Sequence, residues 1–308
     1  MNNSPFKLEH VNFMHGEKCI DIAKEYTSGD KLVNKTGIPY VWETSKNAYQ
    51  LALDCVSEVE TLHKIREADL QAIIYVSQSP TQLVPSHSCQ MQHDLNLPNH
   101  ILALDINQGC TGFVQALSLA CKILEENKSI LIITTDTYRE KLASDDRGTK
   151  ALFTDAASAS IITYDPEGFK IVAEENVTLG EGAKYVYQKI EEKTSGNLHM
   201  NGREVYLSIQ EHLVNHMNST AAQAGVGLSE IDKILIHQGS KIVLEKTLEY
   251  IKKQGIDIPL NLEKYGNSTS STIPSLLHDG YNLSETGYTM ITSYGVGFAQ
   301  ASIIVKKL

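Results

Sequence analysis

The sequence predicts an α/β protein built from two similar halves. Amphipathic helical stretches alternate with short β-rich runs along the 308 residues, which is the pattern of βαβ units around a largely parallel sheet. Similar runs recur in the same order, because 72–78 resembles 233–238 and 130–137 resembles 289–295, at separations of 160 and 158 residues. The shared order and the nearly shared shift indicate an internal duplication.

The composition excludes several classes of protein. Hydrophobic residues make up 42% of the chain and charged residues 21%, as in an ordinary globular protein. The net charge of −10 repels nucleic acid and anionic lipid, so a nucleic-acid partner is not expected. No apolar run approaches the roughly 20 residues that cross a bilayer, and the first residues lack the pattern of a secretory signal. We therefore expect a cytoplasmic protein without a membrane span.

The first half reads as a helix, a strand and a strand–turn–helix unit. Apolar residues at helical spacing precede the strand run at 72–78, namely Leu51, Cys55, Val59 and Leu62. A second apolar strand stops at Gln108 and Gly109, and a helix with one apolar face follows over 113–124. The strand run at 130–137 and a closing strand at 157–162 complete this half.

The second half repeats this plan. A helical stripe of Val205, Ile209, Leu213 and Met217 precedes the strand run at 233–238, and 289–295 follows. The closing run at 299–304 resembles 157–162 at an offset of 142, which implies a shorter loop in this half. We place the halves at 1–165 and 166–308. Since open α/β sheets bind ligands at the carboxyl ends of their strands, one crevice should draw residues from both halves.

Cys110 is the candidate nucleophile. The five cysteines are few and lack CxxC spacing, so reduced thiols are expected rather than disulfides or a zinc site. Cys110 lies at the predicted N-terminus of the 113–124 helix, where free N–H groups and the helix dipole favour a thiolate and a pKa below about 8.5. The alternative is a small, inert, buried thiol. Cys55 and Cys121 lie on apolar stripes and are expected in the core.

Two polar residues of the second half could complete an active site. His237 ends the strand run at 233–238, where a general base or hydrogen-bond donor is useful, although a structural histidine is the alternative. Asn267 precedes a Ser/Thr-rich helix start and could equally be a turn or cap residue. His212 and His216 lack a third ligand, so no metal is predicted. No dinucleotide or P-loop motif is present, and no cofactor is predicted.

Taken together, these residues and their surroundings resemble the ketoacyl-acyl carrier protein synthase III group of the thiolase superfamily. Collinear segments resemble its motifs over most of the chain: KTGI at 35–38, PSHSCQMQ at 85–92, INQGCTGF at 106–113, DDRGTKALFTDAASAS at 145–160, LHMNGREVY at 198–206, then HQGS, YGNSTSSTIP and GVGF. The resemblance implies the five-layered α-β-α-β-α thiolase fold of two duplicated halves.

The implied chemistry is a Claisen condensation in two half-reactions. Cys110 would take an acyl group from an acyl thioester, on coenzyme A or on acyl carrier protein, with an oxyanion hole formed by the N–H groups of Cys110 and Gly297. Malonyl-acyl carrier protein would then enter. His237 and Asn267 would donate hydrogen bonds to its carbonyl oxygen as CO2 leaves, and the carbanion would attack the acyl-cysteine to give a 3-oxoacyl product. No metal or redox cofactor is needed.

The resemblance also implies binding residues and a homodimer. Lys35, Arg147, Gly202 and Ser240 would contact the carrier or its pantetheine arm. Lys35 replaces an arginine, and a lysine lacks the planar fork of that side chain. Val84 stands where a larger residue of the family crosses the dimer to close the acyl pocket, so a bulkier acyl chain could fit.

Two other functions remain open from the sequence. The same Cys110 and His237 could transfer the acyl group to an amine or hydroxyl acceptor, as in secondary metabolism or sugar modification. A non-catalytic partner subunit could keep the fold without the chemistry, but such partners generally lack one of the three residues. The presence of Asn267 favours condensation.

Overall fold

The computed structural model describes residues 3–191 and 194–308. Its strands are β1 (Phe6–His15), β2 (Lys18–Asp21), β3 (Tyr40–Glu43), β4 (Leu70–Val76), β5 (Leu102–Ile106), β6 (Ser129–Asp136), β7 (Ala156–Tyr164), β8 (Phe169–Thr178), β9 (Val186–Tyr187), β10 (Ile190–Glu191), β11 (Thr194–Ser195), β12 (His199–Met200), β13 (Ile231–Ile236), β14 (Tyr288–Gly295) and β15 (Ala299–Lys307).

The α-helices are α1 (Ile22–Glu25), α2 (Gly29–Thr36), α3 (Ala48–Ser57), α4 (Val59–Glu67), α5 (His87–Asp94), α6 (Gly112–Ile123), α7 (Arg147–Lys150), α8 (Gly202–Gln223), α9 (Lys241–Lys253), α10 (Leu262–Tyr265) and α11 (Thr272–His278). Short 3-10 turns lie at Arg139–Lys141, Gly180–Lys184, Leu228–Glu230, Thr269–Ser271 and Val296–Phe298. In the described part of the chain, no helix combines the length and the apolar character that a bilayer crossing requires.

Nine strands form one sheet in the order β13-β14-β15-β8-β1-β7-β6-β4-β5. In the first half β4 pairs parallel with β6, and the β6–β7 and β7–β1 pairs are antiparallel. In the second half β13 pairs parallel with β14, and the β14–β15 and β15–β8 pairs are antiparallel. The pairing scheme is therefore the same on both sides of the single Phe6–Phe169 pair that joins β1 to β8.

Side-chain alternation divides the molecule into five layers. On β4, Ala72 and Ile74 pack in the cluster that contains α6 and α11, whereas Ile73 and Tyr75 pack against α3. On β13, Leu235 faces the same central helices, while its neighbours Ile234 and Ile236 pack against α8 and α9. The layers are therefore outer helices, the first-half strands, the central pair α6 and α11, the second-half strands, and outer helices. The one nine-stranded sheet supplies both strand layers. The predicted five-layered α/β fold is confirmed.

The strands lie where the sequence predicts them, whereas the helix predicted around Leu51 to Leu62 is two helices. The runs at 72–78, 130–137, 157–162, 233–238, 289–295 and 299–304 coincide with β4, β6, β7, β13, β14 and β15 to within a few residues. The predicted stripe of Leu51, Cys55, Val59 and Leu62 is divided at Glu58, whose extended backbone ends α3 and whose carboxylate caps α4. Val59 is consequently 83% exposed rather than buried.

Candidate active site

A cavity of about 560 Å³ opens where the two halves meet. Cys110 of the first half and His237 and Asn267 of the second half all line it, as do three of the four predicted carrier-binding residues, Lys35, Gly202 and Ser240. Most of its remaining wall is aliphatic or aromatic, with contributions from Leu32, Leu152, Phe153, Val186, Met200, Val205, Ile242, Val243 and Val296. A largely apolar wall with a few convergent polar groups suits a small-molecule or prosthetic-arm ligand.

The turn between β5 and α6 holds Cys110 at the N-terminus of the helix, as predicted. Close packing explains the glycines on either side of it. A Cβ at Gly109 would lie 2.5 Å from Gln78 Oε1, and one at Gly112 would lie 2.3 Å from Val76 Cγ1. The carbonyl of Cys110 accepts a 2.6 Å hydrogen bond from the Ser293 hydroxyl, so the second half fixes the backbone of the nucleophile turn.

The ionisation of Cys110 differs from the prediction. Burial raises the pKa of the thiol to about 12, and the charge of nearby Asp136 acts in the same direction. The backbone N–H groups of Cys110 and Val296 lower the pKa, but burial outweighs them. The expected thiolate is therefore wrong for the free protein, because desolvation exceeds the favourable effect of the helix N-terminus.

His237 directly follows strand β13 and lines the cavity. The imidazole is 1% exposed, and its Nδ1 lies 2.7 Å from the hydroxyl oxygen of Thr272. Burial lowers the pKa of His237 to about 3, against the opposing effect of a hydrogen bond to the backbone of Thr269. The ring is therefore neutral at physiological pH. Its Nε2 is a donor in the tautomer with the proton on Nε2 and an acceptor in the tautomer with the proton on Nδ1.

Asn267 is held by the first half although it belongs to the second. Its N–H donates to Leu152 O at 3.0 Å, and its carbonyl accepts from Thr154 N at 2.9 Å. Its side-chain oxygen accepts the N–H of Thr269 at 3.0 Å. Because the oxygen is occupied in this way, the amide NH2 is the group left for a ligand.

The loop after β14 brings one more backbone donor to the thiol. The donor in this loop is the N–H of Val296, which lowers the pKa of Cys110. It lies one residue before Gly297, the donor predicted from the sequence. Gly297 instead takes a left-handed conformation with φ of 76° within the turn. The absence of a side chain at Gly295 lets this loop lie against Cys110, since a Cβ there would lie 2.6 Å from Cys110 Cβ and 3.0 Å from its Sγ.

Tyr294 is a residue of this site that sequence reasoning did not identify. Its ring packs edge-to-face on His237 at a centroid distance of 5.0 Å, and its hydroxyl accepts the N–H of Gly239 at 3.2 Å. A Cβ on Gly239 would lie within 4 Å of both the Tyr294 hydroxyl and His237 Nε2, so the two groups face the same part of the cavity. Its position directly before the GVGF segment was the signal available in the sequence.

Besides Gly297, two predicted residues lie outside the cavity wall. Arg147 does not line the cavity, although its neighbours Asp146 and Gly148 do, which places the arginine at the rim. Val84 is 83% exposed next to Leu83, which is 78% exposed, on the loop before α5. In a single chain Val84 therefore closes no pocket. Cys55 and Cys121 are buried as predicted, while Cys19 and Cys89 are exposed.

Comparisons with known proteins agree with this architecture. The model of the 3-oxoacyl-(acyl-carrier-protein) synthase III family matches residues 104–180, and its C-terminal model matches residues 221–307, together more than half of the chain. The chain is 28% identical to a beta-ketoacyl-(acyl-carrier-protein) synthase III of Clostridium acetobutylicum over 94% of its length and 92% of the relative. It is 24% identical to one of Koribacter versatilis, with 94% and 91% covered.

Solved structures share the whole fold. A 3-oxoacyl-(acyl-carrier-protein) synthase III solved at 2.1 Å aligns with a TM-score of 0.85 and 25% identity over 98% of this chain and 99% of that one. A synthase III from Aquifex aeolicus aligns with a TM-score of 0.84 and 22% identity over the same shares. At the latter identity the likeness shows the fold alone.

Proposed function

Because the chain belongs to the 3-oxoacyl-(acyl-carrier-protein) synthase III family, we propose that it is a condensing enzyme, an acyltransferase that makes 3-oxoacyl products. It takes an acyl group from a thioester onto Cys110 and joins that group to a malonyl unit on acyl carrier protein with loss of CO2. The observation that carries the proposal is the convergence of Cys110, His237 and Asn267 on one largely apolar cavity from opposite halves of the chain.

In the first half-reaction Cys110 Sγ attacks the carbonyl carbon of the acyl thioester. The thiol is protonated at rest, so its proton leaves as the bond forms, and the neutral His237 is the base that the cavity offers. The N–H groups of Cys110 and Val296 stabilise the oxyanion, with Val296 in the role predicted for Gly297. The intermediate then collapses, the carrier sulfur departs, and the proton is returned to it.

In the second half-reaction the malonyl thioester occupies the same cavity. Asn267 donates from its NH2 group. His237 donates from Nε2 in the tautomer that carries its proton there, for which the Thr272 hydroxyl turns from the Thr269 carbonyl and donates to Nδ1. Both bonds stabilise the enolate that forms as the carbon–carbon bond to CO2 breaks. The α-carbon then attacks the acyl carbon, the carbon–sulfur bond to Cys110 breaks, and the thiolate leaves and takes up a proton.

Lys35, Gly202 and Ser240 would receive the pantetheine arm, and Arg147 would contact the carrier at the rim. Lys35 and Arg203 are cationic wall residues, which suits a phosphorylated arm on an acidic carrier protein despite the net charge of −10. We extend the proposal to a homodimer, because the exposed Leu83 and Val84 form an apolar protrusion suited to a second copy that would close its acyl pocket. The cytoplasmic location predicted from the sequence belongs to the same proposal.

The test measures acylation and CO2 release separately. The wild-type protein is exposed to a panel of acyl-coenzyme A and acyl-carrier thioesters, and peptide mass mapping locates the adduct, since Cys19 and Cys89 are also accessible. Labelled malonyl-acyl carrier protein then reports CO2 release. We expect the adduct on Cys110, its loss in Cys110→Ala, and a fall in CO2 release of about 10²–10³ in Asn267→Ala or His237→Ala.

The outcomes separate the candidate functions. Acylation of Cys110 without any CO2 release from malonyl carrier would contradict condensation and favour transfer to an amine or hydroxyl. Absence of an acyl adduct with every thioester would favour a non-catalytic subunit. An adduct that stays on the protein in Cys110→Ala would refute the assignment of the nucleophile.

A further inference from the structure

Thr269 occupies an unusual place between the two proposed hydrogen-bond donors. It lies in the 3-10 turn after Asn267, is 1% exposed, and has a left-handed backbone with φ of 51°. A β-branched residue rarely adopts this conformation, which costs free energy and persists only where the surroundings enforce it. The contacts of Thr269 show what enforces it.

The peptide groups of Thr269 reach both active-site side chains. Its N–H donates to Asn267 Oδ1 at 3.0 Å, which leaves the Asn267 NH2 as the remaining donor. Its carbonyl accepts the hydroxyl of Thr272 at 3.1 Å. That same Thr272 hydroxyl oxygen lies 2.7 Å from His237 Nδ1. The orientation of both side chains therefore depends on where this one residue lies.

The side chain of Thr269 is attached to a buried carboxylate of the other half. Its hydroxyl donates to Asp136 Oδ2 at 2.7 Å, and the Ser270 hydroxyl donates to the same oxygen at 3.3 Å. Asp136 Oδ1 accepts Gln78 N at 2.8 Å and the Ser79 hydroxyl at 3.2 Å. Asp136 is 1% exposed at the end of β6, and four donors suit a charged acceptor, whose hydrogen bonds are strong.

We propose that Thr269 is a positioning residue of the condensation half-reaction, anchored by Asp136, that holds His237 and Asn267 in register with the carbonyl oxygen they polarise. This inference rests on the proposed function, because it concerns the two donors assigned there. It adds a hydrogen-bonded connection from the first half, which carries Cys110, to the donors of the second. The left-handed backbone of Thr269 is a consequence of satisfying all three contacts at once.

Thr269→Val tests the connection by removing one hydroxyl at nearly constant shape. The measured quantity is the ratio of the CO2-release rate to the Cys110 acylation rate, both in single turnover. We expect this ratio to fall at least about tenfold, since small displacements of catalytic groups are costly, and Thr269→Ser to restore it to within about threefold. The matched control is Thr135→Val, which removes an equally buried hydroxyl that bonds Ala48 O at 3.0 Å, away from the cavity.

The outcomes distinguish this inference from the proposed function. A wild-type protein that releases no CO2 would overturn both. An active wild type whose ratio is the same in Thr269→Val and Thr135→Val would overturn only the role of Thr269. Should Thr269→Val not fold, Thr269→Ala removes the same hydroxyl without a branched Cβ in the left-handed conformation, and the same comparison decides.

Asp136→Asn gives a second readout, for which circular dichroism must first show a native fold, because an unfolded chain would also expose Cys110 to alkylation and release no CO2. Removal of the charge lowers the pKa of the Cys110 thiol, so alkylation by iodoacetamide at pH 8 should become severalfold faster. The weakened anchor should at the same time slow CO2 release at least about tenfold. Faster alkylation with an unchanged rate of CO2 release would contradict the anchoring role of Asp136.

Discussion

At the scale of single residues, the thiol of Cys110 shows two opposing influences. The end of a helix and two backbone N–H groups favour its thiolate, while burial and the charge of Asp136 favour the protonated form and raise the pKa to about 12. A protonated, buried thiol resists oxidation and nonspecific alkylation. In the proposed reaction it would lose its proton only as it attacks the acyl thioester, with His237 as the base.

The pH dependence of alkylation checks this state. In the free protein the rate of iodoacetamide modification of Cys110 should rise about tenfold per pH unit from pH 7 to pH 10 without a plateau, because the thiolate fraction grows in that proportion. Free cysteine, measured in parallel, should level off above about pH 8.5–9. Peptide mapping must separate Cys110 from the exposed Cys19 and Cys89. A plateau for Cys110 below pH 9 would contradict the effect of burial.

Gly295 gives a steric test of the same atom. Its φ of 175° is open to any residue, so only space matters: an added Cβ would lie 2.6 Å from Cys110 Cβ and 3.0 Å from Sγ. We expect Gly295→Ala to reduce the acylation rate by about 10² through displacement of the sulfur. Gly180→Ala is the control, since a Cβ there has no neighbour within 4 Å. Equal acylation rates in the two variants would contradict this prediction and show that the loop can move to admit the Cβ without displacing the sulfur.

At the scale of the elements, Asp155 connects three parts of the first half. This 2% exposed carboxylate directly precedes β7 and accepts the N–H of Arg139 and of Thr44, each at 3.2 Å. Thr44 follows β3, and Arg139 begins a 3-10 turn beyond β6. Burial nevertheless raises the pKa of Asp155 to about 7, because these bonds and the nearby Arg139 charge do not fully offset desolvation.

The raised pKa makes stability depend on pH. The folded state holds a proton on Asp155 that the unfolded chain has lost above about pH 4, so the contribution to the free energy of unfolding falls from pH 4 to pH 7 and is level above. In Asp155→Asn this decrease should be absent, a difference from wild type that grows by up to about 4 kcal/mol across that range. Urea unfolding at several pH values measures it, with the exposed Asp145→Asn as control. A constant difference would contradict the raised pKa.

At the scale of the whole molecule, the site exists because two halves with the same strand pairing face each other. The first half supplies the nucleophile turn, and the second supplies the loop that carries Val296 and the two proposed donors. The division at 165/166 falls between the end of β7 at Tyr164 and the start of β8 at Phe169. The division remains a proposal, because strands from both sides of it belong to one continuous sheet.

The proposed homodimer has a matched pair of probes. Val84 and Val59 are both valines with 83% exposure, but Val84 adjoins the exposed Leu83 whereas Val59 begins α4. We expect Val84→Asp to shift the protein toward the monomer in light scattering at micromolar concentration, because it places a charge in an apolar contact. Val59→Asp should leave the molar mass unchanged. A dimer that is insensitive to Val84→Asp would place the interface elsewhere.

The amino-acid sequence alone predicts the order of the elements, the repeat and the convergence of Cys110, His237 and Asn267 on one site. Period-two and helical spacing are local properties, and motif residues such as those of the nucleophile turn lie next to each other in the chain. Helical spacing does not predict the break at Glu58, because a capping carboxylate interrupts an otherwise helical apolar period there.

Three features follow from packing in three dimensions alone. They are the protonation of Cys110, the approach of the Val296 N–H rather than that of Gly297 to the thiol, and the contact between Thr269 and Asp136, which are 133 residues apart in the chain. The physical reason is the same in each case. Desolvation and hydrogen bonding depend on which groups packing brings within a few ångströms, and no spacing along the sequence records that distance.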